Sequence, residues 1–124
     1  MEELIFITKK AHRAETDVSI NTTYSKDRKN NSVSIIFRHD VETLITMKKS
    51  EYIIVALLGE RIYFRYATQD EGYKLSDRGG KKHNRYTSIT ESSSPAFFSF
   101  VEKHTGDYPL KYDKDRNLHY IECD

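Results

Sequence analysis

The chain has 124 residues, 37% of them hydrophobic and 31% charged, with 20 Lys and Arg against 19 Asp and Glu. That length fits one domain and excludes two ordinary ones, so residues 1–124 read as a single unit. A net charge of +1 excludes the strong imbalance typical of disordered chains, and it leaves any nucleic-acid reading to local charge clusters.

No apolar run approaches the roughly 20 residues that span a bilayer; the longest is Tyr52 to Leu58. The first residues, Met-Glu-Glu-Leu-Ile-Phe-Ile, put acidic groups where a signal peptide puts basic ones. The single cysteine, Cys123, has no partner for an internal disulfide, which favours a reducing compartment. A cytoplasmic protein without a membrane partner is the expectation.

Leu4 to Thr8 suits a first strand and is followed by the basic stretch Lys9-Lys10-Ala11-His12-Arg13. Asp17 to Tyr24 alternates with Val18 and Ile20 on one face, the period of a half-buried strand. The polar stretch Ser25 to Asn31 reads as a hairpin turn, and Ser32 to Phe37 as the returning strand. At Asp40 the period changes: Val41, Leu44, Ile45 and Met47 lie at helical spacing behind a candidate cap, with Lys48-Lys49 at the end. Tyr52 to Leu57 and Ile62 to Tyr66 are the strongest strands, joined by a tight turn in which Gly59 can take positive φ. Tyr73 and Leu75 fit a short strand within a polar stretch that runs to Arg85 and includes the flexible pair Gly79-Gly80. Ser94 and Pro95 open a second helix with Phe97, Phe98 and Val101 on its buried face and Gly106 as its stop. A last hairpin pairs Tyr108 to Tyr112 with Leu118 to Glu122.

These elements predict an α+β fold: a mainly antiparallel sheet with two short helices, about 40–48 and 95–104. Ile53, Val55, Ile62, Phe64, Phe97 and Val101 form the expected core.

Little here points to catalysis. The five histidines lack i,i+4 pairs and cysteine neighbours, so surface or turn histidines outweigh a metal site. Nucleophile elbow, phosphate-binding loop and dinucleotide fingerprint are all missing. No catalytic residue, no metal and no cofactor is expected.

Positive charge does cluster. Arg78-Gly79-Gly80-Lys81-Lys82-His83-Asn84-Arg85-Tyr86 combines cations for phosphate, glycines for close backbone approach and a ring for base stacking. The competing reading is a solvated hinge kept soluble by its lysines. Lys9, Lys10 and Arg13, with Lys26, Arg28 and Lys29, would charge a hairpin at base and tip, to track a duplex groove or to protect an exposed edge. Tyr63, Tyr66, Tyr108, Tyr112 and Tyr120 fall on strands, where they can form a stacking platform or the rim of a core.

Residues 31–66 carry a further pattern: SVSIIF, then RHDVETLITMKKSE, then YIIVALLGERIYFRYA. This order of strand, short helix and strand–turn–strand resembles the AbrB/MazE/MraZ type of swapped-hairpin DNA-binding domain. The resemblance implies an interleaved homodimer that binds DNA near its first hairpin, and by position it adds Arg38.

The sequence thus favours a small non-enzymatic nucleic-acid-binding protein, a DNA-binding regulator contacting phosphates of DNA or RNA. Its expected contact residues are Lys9, Lys10, Arg13, Arg28, Lys29, Arg38, Arg78, Lys81, Lys82, Arg85 and Tyr86. The alternative is a protein-interaction module, an inhibitor or adaptor of the kind mobile elements encode. A continuous basic face would favour the first; acidic residues interrupting it would favour the second.

Overall fold

A computed structural model describes residues 17–27, 29–38, 51–77 and 84–124. Its described strands form two five-stranded antiparallel sheets. The first has the order β6-β7-β2-β1-β8, built from β1 (Val18–Thr23), β2 (Ser32–Phe37), β6 (Ser76–Asp77), β7 (Arg85–Thr90) and β8 (Gly106–Tyr108). The second has the order β5-β3-β4-β10-β9, built from β3 (Tyr52–Leu58), β4 (Arg61–Ala67), β5 (Tyr73–Lys74), β9 (Lys111–Asp113) and β10 (Leu118–Glu122). One helix, α1 (Pro95–Lys103), is present among the described residues.

The α+β expectation is therefore corrected to a mostly β architecture of two sheets with a single described helix. The expected helix at 40–48 lies outside the described residues. The correction comes mainly from short polar strands. Arg85 to Thr90 is Ser/Thr-rich and looks like a loop, but it pairs with β2 over its full length, from Ser32↔Thr90 to Phe37↔Arg85. Its β-branched residues suit a pleated surface, with Thr87 and Ile89 buried between exposed Ser88 and Thr90. The expected strand at 108–112 is broken at Pro109. β8 before it pairs with β1 in the first sheet, and β9 after it pairs with β10 in the second. Proline has no N–H to give a ladder, so the chain changes sheets there.

The core lies between the sheets. Alternation turns Val18 and Ile20 of β1, and Val33, Ile35 and Phe37 of β2, towards Ile53, Ile62, Phe64 and Ile121 of the second sheet. Phe37 and Phe64 meet edge to face, with ring centroids 5.1 Å apart and planes at 77°. Helix α1 packs on β1 and β2 and delivers Phe97, Phe98 and Val101 to the same cluster. Of the expected core residues, Val55 alone is partly buried, at the margin of that cluster.

Local signals hold in part. Gly59 has φ +59° in the β3–β4 turn, as the tight connection requires. Ser94 occupies the N-cap position but makes no side-chain cap; its carbonyl accepts the Phe98 N–H at 3.0 Å. The helix ends at Lys103 with His104 as cap, and Gly106 opens β8 instead of stopping the helix.

At Gly72 the chain folds back so tightly that an added Cβ would lie 2.9 Å from Tyr52 Cβ and 3.0 Å from Ala67 Cβ. Gly72→Ala should cost about 1–3 kcal/mol by overpacking, measured as a lower denaturant midpoint. Phe37→Ala should cost about 3–5 kcal/mol, since the site is closed on both sides by the two sheets. A urea midpoint unmoved by Phe37→Ala would show that the sheets do not pack through this ring.

Candidate functional site

Each sheet turns one face to the core, so residues in alternate register lie on its outer face. On the first sheet, inward Val18 and Ile20 place Ser19 and Asn21 outward on β1. Inward Ile35 and Phe37 place Ile36 outward on β2. Arg38 follows immediately and extends the ladder, its N–H donating to the Asp17 carbonyl at 2.9 Å. Register sets Asp107 of β8 opposite Ser19.

These positions build a cavity of about 380 Å³ lined by Ser19, Asn21, Arg38, Asn84, Thr105 and Asp107. The Ser19 hydroxyl donates to Asp107 Oδ1 and accepts from Arg38 Nε at 3.0 Å. Ser19 and Ile36 are only 5% exposed, so they form a floor rather than a rim.

The second sheet has a different outer face. Tyr63 of β4 is 4% exposed although it lies on this side, because an ionic network covers it. Its hydroxyl donates to Asp113 Oδ2 at 2.7 Å and accepts from Arg61 Nη1 at 3.0 Å. Arg61 also donates through Nε to Glu122 at 3.1 Å and lies 4.4 Å from the Tyr120 ring centre. Arg116 reaches Asp113 Oδ2 at 3.1 Å, and the N–H groups of Asp115 and Arg116 donate to Asp113 Oδ1. With these donors, led by the Tyr63 hydroxyl, the Asp113 carboxyl is lowered to about 2. Beside the network lies a shallow groove of about 270 Å³ between Ile54, Ala56, Tyr63, Arg65 and Leu118. Leu58 stands 48% exposed on the same face of β3.

Of the sequence-predicted contact residues, Lys9, Lys10, Arg13, Arg28, Arg78, Lys81 and Lys82 lie outside the described residues. Lys29 is exposed in the β1–β2 turn, where its N–H donates to Asp27. Arg85 opens β7 and donates from Nη2 to the Leu75 carbonyl at 2.9 Å, a structural bond to its own chain. Tyr86 lies opposite Ile36, on the outer row that continues to Ser19 and Asp107. Arg38 reaches the cavity. The tyrosines are dispersed: Tyr63 and Tyr66 are buried, Tyr120 faces Arg61, the Tyr108 hydroxyl donates to the His104 carbonyl at 2.6 Å, and Tyr112 is exposed beside the His119 ring.

Cys123 is buried, and burial pushes its thiol up to about 12, far from a reactive thiolate. Among the described residues no three His, Cys, Asp or Glu side chains gather as metal ligands. No described helix is long and apolar enough to cross a membrane.

Sequence reasoning missed Ser19, Asn21 and Asp107, and took in Asn84 only as part of the stretch from Arg78 to Tyr86. The alternation of β1 already put Ser19 and Asn21 outward, whereas the strand that carries Asp107 was hidden by reading Gly106 as a helix stop. Comparison with protein-family models, curated proteins and solved structures finds no match to the chain.

The low Asp113 value has a sign. A carboxyl lowered in the folded state adds stability that is present above its unfolded value and lost as pH falls through about 2. Unfolding midpoints of the wild type and Asp113→Asn should therefore differ most near neutral pH and converge as pH drops from about 5 towards the acid limit. A gap of constant size over that range would mean that Asp113 acts by shape and not by charge.

Proposed function

We propose that the chain is a non-enzymatic protein-interaction module that docks its partner on the outer face of the second sheet. One observation carries this reading. That face keeps an open apolar groove at Ile54, Ala56 and Leu118, with Leu58 nearby, while the cations around it are engaged with neighbouring carboxylates.

Phosphate contacts need cations that are free to approach a backbone. Here Arg61 pairs with Asp113 and Glu122, Arg116 with Asp113, and Arg85 with a main-chain carbonyl. On the outer face of the second sheet acidic groups lie among the basic ones, the charge geometry that favours a protein partner.

Arg65 lines the groove, and its pair with Glu71 is long, at 4.0 Å, with both side chains well exposed. Exposed pairs of this kind contribute little and exchange easily. The occupant that complements the groove is therefore an apolar protein segment carrying an acidic residue that replaces Glu71 on Arg65. The apolar side chains supply affinity by burial, and the carboxylate fixes register.

Random peptides displayed on phage and selected on the immobilised protein provide the test. Enriched peptides should share an apolar core with a carboxylate and should lose about tenfold or more in affinity on Ala56→Lys. Ala56 is exposed, so that variant should keep its melting temperature. Salt-steep binding to mixed-sequence duplex or single-stranded DNA that ignores Ala56→Lys would overturn the protein reading for a nucleic-acid one. A mass near twice 14.6 kDa that Ala56→Lys returns to the monomer would identify the partner as a second copy.

A further inference from the structure

The cavity on the first sheet lies apart from the proposed docking face and, among the described residues, holds one cation and one anion that do not pair directly. Arg38 and Asp107 both bond to the Ser19 hydroxyl, which stands between them. A purely structural arginine and aspartate would gain most from a direct two-point contact between guanidinium and carboxylate. Here only Arg38 Nε and Asp107 Oδ1 are engaged in the bridge. The terminal amines of Arg38 and the second oxygen of Asp107 make no hydrogen bond to the described residues, and both residues line the cavity.

We propose that this cavity binds a small zwitterion of the free α-amino acid type, its carboxylate on Arg38 and its ammonium on Asp107. Charge selects that class. With one formal charge of each sign among its described lining residues, the cavity would set a simple anion against Asp107 and a simple cation against Arg38. A ligand carrying both signs a few ångströms apart satisfies both groups and adds no net charge to the site. The volume of about 380 Å³ falls within the span of small-molecule sites, about 300–1,000 Å³. Asn21 and Asn84 line the remaining wall, and the Asn21 amide can donate or accept to a ligand side chain. Preorganisation follows from burial. Ser19 is 5% exposed and has both a donor and an acceptor role filled, so the two charges are held in place before a ligand arrives.

The test is a titration of the isotope-labelled full chain with single free L-amino acids, glycine included, with acetate and methylammonium as single-charge probes. Binding should shift the amide signals of Ser19, Asn21 and Asp107 saturably, at concentrations up to about 10 mM, which reach weak millimolar sites. Acetate and methylammonium should produce no saturable shift over the same range. Asp107→Asn should weaken binding about tenfold or more while leaving the rest of the spectrum in place. Asp107 is exposed, so the substitution spares the core. Arg38→Gln provides a second, independent loss at the other end of the ligand. The proposal is overturned if no amino acid shifts these signals, if acetate binds as tightly as the amino acids, or if Asp107→Asn binds like the wild type. Because the outer face of the second sheet plays no part in this site, Ala56→Lys should leave the titration unchanged.

Discussion

Phe37 from one sheet and Phe64 from the other meet edge to face in the middle of the molecule, and the rest of the architecture depends on keeping them together. Neither ring has any exposed surface. Each sits in a strand whose alternate residues are apolar, so the rings fix which face of each sheet is inward. Once those faces are set, period-two geometry leaves no freedom for the outer ones. Ser19, Ile36 and Asp107 must line the outside of the first sheet because Val18, Ile20 and Phe37 line its inside. Arg61, Tyr63 and Arg65 must line the outside of the second because Ile62, Phe64 and Tyr66 line its inside.

The chain's path ties the two outer faces together. Pro109 separates β8, which lays Asp107 beside Ser19, from β9, which lays Asp113 beside Tyr63. The Leu110 N–H, next to that proline, donates to Asp17 Oδ2 at 3.1 Å, anchoring the crossing to the start of β1. A short segment thus supplies one acidic residue to each face. Both carboxylates accept a hydroxyl hydrogen bond, but their surroundings differ. Asp113 is enclosed by Tyr63, Arg116 and two backbone N–H groups, whereas Asp107 has the Ser19 hydroxyl and an open cavity.

Much of this was legible in the sequence wherever a strand carries its own apolar signal. Val18 to Thr23, Ser32 to Phe37 and the pair around Gly59 declare themselves by alternation or continuous hydrophobicity, and α1 by Ser94-Pro95 and its apolar stripe. Strands without such a signal were not legible. Ser76–Asp77 and Gly106–Tyr108 are edge strands of two or three residues, stabilised by the neighbour they pair with. Arg85–Thr90 is longer, but its buried residues are a threonine and one isoleucine, so its place beside β2 decides its state. Tertiary pairing overrides weak local preference in such segments. Missing them hid the existence of a second sheet, and with it the distinction between inner and outer tyrosines. Tyr63 and Tyr66 look alike in sequence, yet one is buried under an ionic network and the other against the core.

The same geometry explains why the basic residues read so differently once folded. Charge clustering along a sequence says where cations are, not what they face. Arg61 lies within reach of Asp113 because β4 and β9 flank β10, an adjacency no linear count reveals, whereas Arg116 reaches it from three residues along the β9–β10 turn. Arg85 meets the Leu75 carbonyl because β7 runs beside β6. Arg38 differs because it follows the last residue of β2, opposite Asp17, where the ladder is ending. It has one backbone bond to hold it and a hydroxyl to aim it, and beyond that hydroxyl lies the cavity. Arg61 and Arg85 also stand at strand ends, each the first residue of its strand, and each is engaged by what a nearby strand sets within reach, carboxylates for Arg61 and a main-chain carbonyl for Arg85. Within this fold, what the neighbouring strand places opposite an arginine, more than local charge density, decides what that arginine engages.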